Sequence, residues 1–290
     1  FCPNNAMQRN RLVMSDDLFE KILDDCRAFR LPAIEPFLNG EPFVDPKIMN
    51  RMELIRRKLP DTKLRIYTNG YGLTPDKIDA LEGLGVDHLY VSLNTLDAES
   101  YTRITGLNLE RTLANLEYLT APERRSRVAR RITFRITRTA QTTVEQQRAF
   151  VEFCRRRGVR PFIVGLFNYM GAIPSHLPVP AYPCEHIDRL DILSSGTVTL
   201  CCMDHEGRFA WGDVRQQSVL EIFNGPRAKH FRRFHRSGRR RKVEPCNRCN
   251  VFWPCFKGDS VWLSVKFALQ AGAYFVRYRP VGVRPAPADA

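Results

Sequence analysis

The feature that most constrains the fold is a repeated alternation between short apolar strands and amphipathic helices. Strand patterns lie at residues 33–38, 63–67, 88–93, 132–139 and 161–167. Helical patterns, with apolar residues every three to four positions, lie at residues 14–30, 46–58, 75–84, 108–119 and 144–158. This repetition predicts an α/β fold with a parallel sheet and right-handed crossovers, in which ligands bind at the carboxyl ends of the strands.

The composition is that of a folded globular chain. Of the 290 residues, 43% are hydrophobic and 26% are charged, and no apolar run approaches the roughly 18 residues that a membrane-spanning helix needs. The net charge is +14, with arginine concentrated at residues 124–131 and 232–242. Basic patches of this kind bind nucleic acid, anionic membranes or acidic proteins, and they also occur as solvated loops. We expect the arginine-rich segment 122–131 to be a loop.

The cysteines indicate metal or cluster binding. The chain has nine, an odd number, and Cys201 and Cys202 are adjacent, which fits a disulfide framework poorly. The α/β pattern also predicts a reducing, cytoplasmic location, where thiols stay reduced. Cys26 and Cys154 lie on the apolar faces of helical patterns, so we expect both in the core.

Four other cysteines have the most informative spacing in the chain. Eleven residues separate Cys184 from Gly196, four separate Gly196 from Cys201, and Cys246 and Cys249 form a CxxC pair. The segment 191–200 reads as a β-hairpin that turns at Gly196. Four thiolates in such a pattern hold either zinc or an iron–sulfur cluster, since both accept tetrahedral sulfur sets, and the spacing alone leaves both open.

Three polar loops follow three of the predicted strands. They are Asn39-Gly40-Glu41-Pro42, Thr68-Asn69-Gly70 and Ser92-Leu93-Asn94. Each is an ordinary turn sequence when taken alone. Because the carboxyl ends of parallel strands meet at one edge of a sheet, we expect the loops to gather there.

Together with the first residues, these loops resemble the radical S-adenosylmethionine enzymes. The chain opens on Phe1-Cys2-Pro3-Asn4 without a methionine, so we expect a fragment of a longer protein. In that family a CxxxCxxC loop follows the first barrel strand, and Cys2 resembles its last cysteine, with the other two upstream of Phe1. The resemblance implies a partial (β/α)6 barrel and a 4Fe–4S cluster whose ligand set is incomplete in this chain.

The resemblance also implies a binding site for S-adenosylmethionine. It assigns the following residues to that cofactor: Gly40, Glu41, Pro42, Thr68, Asn69, Ser92, Asn94 and Arg103. Glu41 would accept the ammonium group of the methionine moiety, the polar residues after the next two strands would line its ribose and carboxylate, and Arg103 would either pair with a carboxylate or remain solvated. Asn39 replaces the first glycine of the family's Gly-Gly-Glu-Pro loop. No catalytic acid or base is assigned.

The cysteine-rich segment resembles the SPASM or twitch extension that follows many of these barrels, a small module of β-hairpin and helix. The resemblance implies one auxiliary 4Fe–4S cluster held by Cys184, Cys201, Cys246 and Cys249. Longer SPASM modules have another cysteine where this chain has Asp259, so a second auxiliary cluster would lack ligands. Cys202 and Cys255 are then spare thiols or alternative ligands. Asp204, close to Cys201, is expected to stabilise the hairpin.

These patterns predict four segments. They are the barrel at 1–172, a proline-rich linker at 173–183, the SPASM or twitch module at 184–258 and a tail at 259–290 whose segment 261–278 has helical spacing. The resemblance implies an enzyme that reductively cleaves S-adenosylmethionine and abstracts hydrogen from an unknown peptide or small molecule. An acidic flavodoxin or ferredoxin would be its electron donor.

The alternative function is a non-catalytic zinc or iron–sulfur protein that binds nucleic acid through its arginine clusters. This hypothesis predicts tight, salt-dependent binding. Against it stand the lack of a recognisable nucleic-acid motif and the lack of aromatic residues between the arginines of 124–131. We therefore expect neither nucleic acid nor a membrane as a partner.

Overall fold

Two sheets organise the chain in the structure, a computed structural model that describes residues 7–9, 12–278 and 281–282. The strands are β1 (Ala33–Ile34), β2 (Lys63–Thr68), β3 (Val86–Ser92), β4 (Ile132–Arg138), β5 (Arg160–Gly165), β6 (Asp191–Ile192), β7 (Thr197–Thr199), β8 (Gly212–Asp213) and β9 (Val281–Gly282). The larger sheet has the order β1-β2-β3-β4-β5-β9, and the smaller has the order β6-β7-β8. Strands β1 to β5 are parallel, whereas β9 runs antiparallel to β5. The predicted α/β class is confirmed.

The helices are α1 (Asp16–Cys26), α2 (Ile48–Lys58), α3 (Pro75–Leu81), α4 (Ala98–Thr105), α5 (Leu109–Thr120), α6 (Pro122–Val128), α7 (Val144–Arg156), α8 (Val219–Asn224), α9 (Pro226–Arg236) and α10 (Val261–Tyr278). Helix α1 precedes β1, helices α2 to α7 lie between the parallel strands, and helices α8 to α10 follow them in the chain. The chain divides into two compact units. The sheet unit comprises residues 29–165 and 281–282, and the cysteine unit comprises the described residues within 7–28 and 166–278.

Strand β2 shows how side-chain alternation builds the sheet unit. Leu64 and Ile66 are fully buried on one face. On the other face Tyr67 is opposite Tyr90 of β3, and their rings stack with centroids 4.4 Å apart. Successive side chains of a strand point to opposite faces, so one face of β2 supplies core and the other supplies a half-buried aromatic surface.

Polar caps define where the helices of this unit begin. The side chain of Thr143 accepts the N–H of Gln146, and the Gln146 side chain accepts the N–H of Thr143, which is a complete capping box at α7. Asn108 caps α5 in the simpler way, by accepting the N–H of Arg111 at 2.8 Å. Each such cap contributes about 1 kcal/mol to stability, which explains why the predicted starts of these helices are correct to within a residue.

Two local expectations are wrong in this unit. The arginine-rich segment that we expected to be a loop contains helix α6, in which Arg124 pairs with Asp79 at 3.3 Å and Arg127 pairs with Glu82 at 3.1 Å. Only residues 33–34 of the predicted strand 33–38 pair with β2. Pro36 has no N–H to contribute to a ladder, so the chain leaves the sheet early.

The hairpin of the cysteine unit is as predicted. β6 and β7 are antiparallel, and Gly196 makes the turn at φ +93°. β8 adds a third strand beside β7.

The tail of this unit forms the expected helix, α10, and only some of its apolar residues are buried. Phe267 and Tyr274 are buried, whereas Trp262 is 73% exposed and Leu269 is 68% exposed. In the part of the chain that the structure describes, no helix combines the length and apolar character that crossing a membrane requires.

Candidate functional site

The first candidate site lies where β1 and β2 end in the sheet unit. The Glu41 carboxylate accepts the Thr68 hydroxyl at 2.6 Å through Oε1 and the Asn69 N–H at 2.6 Å through Oε2. Oε1 also accepts the N–H of Phe43 at 3.2 Å. The structure therefore brings three of the predicted cofactor residues, from two different loops, into direct contact.

Local backbone chemistry places Glu41 at this point. Gly40 has φ +116°, a conformation that side chains of L-residues rarely adopt. Pro42 then starts a short 3-10 helix, Pro42–Val44, of which Glu41 is the N-cap. Burial raises the pKa of Glu41, and its hydrogen bonds to Thr68, Asn69 and Phe43 act in the opposite direction.

Hydrogen bonds from its own backbone and from helix α5 also hold the turn after β2 in place. Gly70, at φ +80°, donates its N–H to the Thr68 hydroxyl at 3.0 Å. The buried amide of Asn115 on α5 donates to the carbonyls of Gly70 and Tyr71, both at 3.1 Å. We did not identify Asn115 from the sequence, although a polar residue on the buried face of a helical pattern was a usable signal.

The other predicted residues lie further along the chain. Ser92 ends β3 opposite Arg135 of β4, and Asn94 follows with φ +65°. The side chain of Arg103 on α4 is 68% exposed and contacts Ser100 at 3.0 Å and Glu99 at 3.7 Å on its own helix. Cys2 lies outside the described residues.

The second candidate site is a cavity in the cysteine unit, which we call the cysteine cavity. Its lining includes all four cysteines that were singled out by their spacing, Cys184, Cys201, Cys246 and Cys249. The other lining residues are Met170, His186, Ile187, Leu200, Phe231, His235, Arg240 and Val251. The fold thus brings thiols from three separate segments of the sequence to one place.

Backbone contacts hold two of those segments side by side. Cys184 forms an antiparallel bridge with Pro254, and the Cys255 N–H donates to the Pro183 carbonyl at 2.8 Å. The CxxC pair lies on a short 3-10 turn, in which the Cys249 N–H donates to the Cys246 carbonyl at 3.3 Å.

Asn250, fully buried next to the CxxC pair, braces this turn. Its amide donates to the Leu166 carbonyl at 3.0 Å and to the Ser175 hydroxyl at 2.9 Å. Asn250 and Asn168 also each accept the other's backbone N–H through their side-chain oxygens, at 2.8 and 3.2 Å. The loop that carries two of the thiols is therefore held by hydrogen bonds at its C-terminal end.

Asp204 organises the loop that follows Cys201. Its buried carboxylate accepts the Thr199 hydroxyl, the Arg208 N–H at 3.0 Å and the Phe209 N–H at 2.9 Å. A carboxylate that accepts several donors fixes the backbone around it. This contact set matches the stabilising role expected for Asp204.

The thiols of the cavity are strongly desolvated. Burial raises the pKa of Cys184 to about 12 and holds the pKa of Cys201 and of Cys246 well above the usual range. Neighbouring thiols add to the effect, with Cys249 a contributor for all three. A coordinating metal reverses this preference, because its positive charge deprotonates the thiols that bind it.

Two nitrogen-bearing side chains of the lining are buried with the thiols. His235, fully buried on α9, accepts the Cys184 N–H at 3.4 Å through Nδ1, and its Nε2 has no hydrogen-bond partner among the described residues. The Arg240 guanidinium, 1% exposed, donates to the carbonyls of Cys249 at 3.0 Å and Val251 at 2.7 Å. Burial lowers the pKa of His235 to about 3, with the Arg240 charge acting in the same direction.

Sequence reasoning missed both of these residues. It counted Arg240 in a basic cluster, yet Arg232 and Arg240 are buried. For His235 the sequence held a usable signal, because its spacing from Ala228 and Arg232 places all three on one face of α9.

The two spare cysteines are not among the residues that line the cavity, although Cys202 packs against the buried cluster that contains Cys184 and Cys249. The sulfur of Cys202 is 3.7 Å from Nδ1 of His186. Cys255 is 7% exposed, and burial raises its pKa. In the described chain, no three His, Cys, Asp or Glu side chains converge closely enough to hold a single metal ion.

Family models match two stretches of the chain. Residues 1–122 match the Radical SAM superfamily, and residues 184–250 match SPASM, an iron–sulfur cluster-binding domain. The second stretch contains all four cysteines of the cavity lining.

Individual relatives are similar to shorter stretches of the chain. Over 66 residues the chain is 47% identical to the FeMo cofactor biosynthesis protein NifB of Klebsiella pneumoniae, an alignment that covers 22% of this chain and 14% of that relative. Over 84 residues it is 39% identical to the tungsten-containing aldehyde ferredoxin oxidoreductase cofactor-modifying protein of Pyrococcus furiosus, covering 29% of this chain and 23% of that one. The chain spans well under a third of either relative.

The fold resembles a solved structure along most of its length. The structure of BtrN in complex with AdoMet and 2-DOIA has a TM-score of 0.64 at 18% identity, covering 86% of this chain and 85% of that one. At this level of identity the likeness establishes the fold.

Proposed function

Because this chain belongs to the radical S-adenosylmethionine superfamily and carries its SPASM iron–sulfur domain, we propose that it is the catalytic part of an enzyme that cleaves S-adenosylmethionine reductively. The reaction abstracts a hydrogen atom from a peptide or small-molecule substrate. The SPASM domain holds one auxiliary 4Fe–4S cluster through Cys184, Cys201, Cys246 and Cys249.

The observation that carries the proposal is that these four thiols line one buried cavity. Four cysteine thiolates are the usual ligand set of a 4Fe–4S cluster. The residues present fit that group, since the lining otherwise consists of apolar side chains, two histidines and a buried arginine whose positive charge offsets thiolate charge. Zinc accepts the same four ligands, but among the described residues no three such side chains converge closely enough to hold a single ion, so the cluster is the favoured occupant.

The contacts around Glu41 support a cofactor site at the edge of the sheet unit. Cys2 and other thiols would hold a 4Fe–4S cluster, which together with S-adenosylmethionine would supply the hydrogen-abstraction chemistry. The chain's own part is to orient that molecule and to exclude water and competing thiols. Glu41 offers negative charge to an ammonium group, and Thr68 and Asn69 hold its carboxylate in place. Ser92 and Asn94 supply polar groups for the ribose and the carboxylate of S-adenosylmethionine. Arg103 would reach a carboxylate only after breaking its contacts with Ser100 and Glu99 on α4.

The outer surface of the cysteine unit supports an acidic electron donor such as a flavodoxin or ferredoxin. The exposed side chains of α9 and the turn after it are mainly basic, and they include Arg227, Lys229, Arg233, Arg239, Arg241 and Lys242. Complementary charge accelerates encounter between two proteins. This surface therefore favours docking of an acidic partner on the unit that holds the auxiliary cluster.

The test measures 5′-deoxyadenosine formed by the full-length polypeptide after anaerobic reconstitution with iron and sulfide. We expect product with S-adenosylmethionine and a strong reductant, and none in Cys2→Ala. Absence of product from a chain that has taken up its iron and sulfide contradicts the proposed activity. A chain that binds one zinc and no iron contradicts the proposed auxiliary cluster.

A further inference from the structure

The His235 ring carries a buried hydrogen-bond donor that no residue of the described chain satisfies. The ring is fully buried, and its Nε2 has no partner. A buried polar group left unpaired costs about 1 to 3 kcal/mol, so native structures rarely keep one without a reason. A ligand with an acceptor at this position would remove that cost.

The hydrogen bond at the other ring nitrogen assigns the proton. The backbone N–H of Cys184 donates to Nδ1 of His235 at 3.4 Å, and a backbone N–H can only donate. Nδ1 is therefore the acceptor, and the neutral ring carries its proton on Nε2. The free group of His235 is thus an N–H donor.

The surroundings of that donor identify the acceptor. His235 lines the cysteine cavity together with all four thiols that we assign to the auxiliary cluster. The remaining neighbours hold the ring in place, with the Phe231 centroid 4.6 Å from that of His235. Cluster sulfide and thiolate sulfur are hydrogen-bond acceptors, and hydrogen bonds to them help to set the reduction potential of a cluster.

We propose that His235 is a positioning residue of the auxiliary cluster, which donates an Nε2–H···S hydrogen bond to one of its sulfurs and raises its reduction potential. The inference rests on the proposed auxiliary cluster. Reduction adds negative charge to the cluster, and a fixed donor stabilises the reduced form more than the oxidised form. The buried Arg240 guanidinium, which lines the same cavity, acts in the same direction through its charge.

Two substitutions of His235 distinguish the role of Nδ1 from that of Nε2. His235→Asn retains a group near Nδ1 that can accept the Cys184 N–H and removes the donor at Nε2. His235→Gln places an N–H near the position of Nε2 and gives up the acceptor. His230→Asn is the matched control, because His230 lies on the same helix α9 but is exposed and does not line the cavity.

The experiment is a potentiometric titration followed by electron paramagnetic resonance, in a Cys2→Ala background so that the auxiliary cluster alone is observed. At a fixed potential we expect His235→Asn to lower the ratio of reduced to oxidised cluster about tenfold, a shift of about 59 mV for a one-electron couple. His235→Gln restores most of the potential, and His230→Asn leaves it close to that of the parent. An unchanged potential in His235→Asn, at full iron content, overturns the inference.

A measurement on the parent chain tests the inference even if the His235 variants bind no cluster. Electron–nuclear double resonance on the reduced cluster should show a strongly coupled exchangeable proton that disappears in D₂O, and its absence also overturns the inference. Failure of the proposed function appears differently, since the parent chain would then hold no iron that depends on Cys184.

Discussion

The carboxylate of Glu41 and the backbone N–H of Asn69 are joined by a hydrogen bond of 2.6 Å, which connects the loop after β1 to the turn after β2. The Thr68 hydroxyl makes a second connection, to the other oxygen of the same carboxylate, also at 2.6 Å. These bonds preassemble the edge of the sheet to which a ligand would bind. A site that is already ordered loses less conformational entropy when its ligand arrives.

Thr68→Val should destabilise the sheet unit by about 1 to 3 kcal/mol. The substitution removes a buried hydroxyl that donates to Glu41 and accepts the Gly70 N–H. The Gly70 N–H then loses its partner, and Oε1 of Glu41 keeps only the Phe43 N–H. Urea unfolding monitored by circular dichroism measures the loss. Thr68→Ser is the control, since it keeps the hydroxyl; equal losses in Ser and Val variants would show that the hydrogen bonds contribute nothing.

The raised pKa of Glu41 makes a specific prediction about pH. A carboxyl group whose pKa is higher in the folded state than in the unfolded state contributes stability below its unfolded pKa and loses that contribution as pH rises through the folded value. The stability of the wild type relative to Glu41→Gln should therefore fall as pH increases upward from the ordinary glutamate value of 4.5. Parallel unfolding curves of the two proteins across that window provide the measurement. A relative stability that rises with pH would mean that the hydrogen bonds, rather than burial, control this carboxyl.

Gly40→Ala and Gly272→Ala should shift stability in opposite directions. An added methyl group meets no atom within 4 Å at either position, so neither change creates a clash. Gly40 has φ +116°, and alanine there should cost about 1 to 3 kcal/mol in backbone strain. Gly272 lies inside α10, where alanine should stabilise by about 0.5 to 1 kcal/mol. Thermal unfolding compares the two, and an unaffected Gly40→Ala would contradict the assigned loop conformation.

Asn250→Ala should cost about 3 kcal/mol, since three part-buried partners lose their hydrogen bonds to this side chain. Those partners are the Asn168 N–H, the Leu166 carbonyl and the Ser175 hydroxyl. The exposed Asn247 provides a matched control, in which alanine should change stability by less than about 0.5 kcal/mol. If the two variants unfold at the same urea concentration, Asn250 does not brace the CxxC loop.

Much of the sheet unit was predictable, because its strands and helices have strong periodicity and clear caps. The expected helix at 144–158, for example, begins at Val144 where Thr143 and Gln146 form their capping box. Helix α6 was missed because its apolar content is too low to show a period. Helix α6 is stabilised instead by a proline at its first position and by ion pairs of Arg124 with Asp79 and of Arg127 with Glu82. Those ion pairs form only in the folded chain.

The four cysteines of the cavity were predictable from spacing, since the hairpin and CxxC pair are local features. The spacing of His235 with Ala228 and Arg232 could have placed it on the buried face of α9, but not at the cavity. Arg240 lies outside a regular helix, so no periodicity pointed to its burial. The sequence shows a run of basic residues at 232–242, whereas in the structure Arg232 stacks on Phe223 and Arg240 is buried beside the CxxC pair. The predicted segment boundaries and the individual ligands of each cofactor remain predictions.

The assignment of the auxiliary cluster is tested by the iron, sulfide and zinc content of cysteine variants in a Cys2→Ala background after anaerobic reconstitution. We predict about four irons and four sulfides per chain in that background, almost none after Cys184→Ala, and full content after Cys202→Ala. Cys202→Ala is the matched control because its thiol neighbours Cys201 in sequence but does not line the cavity. One zinc and no iron, or loss of the cluster in Cys202→Ala but not in Cys184→Ala, would contradict the assignment.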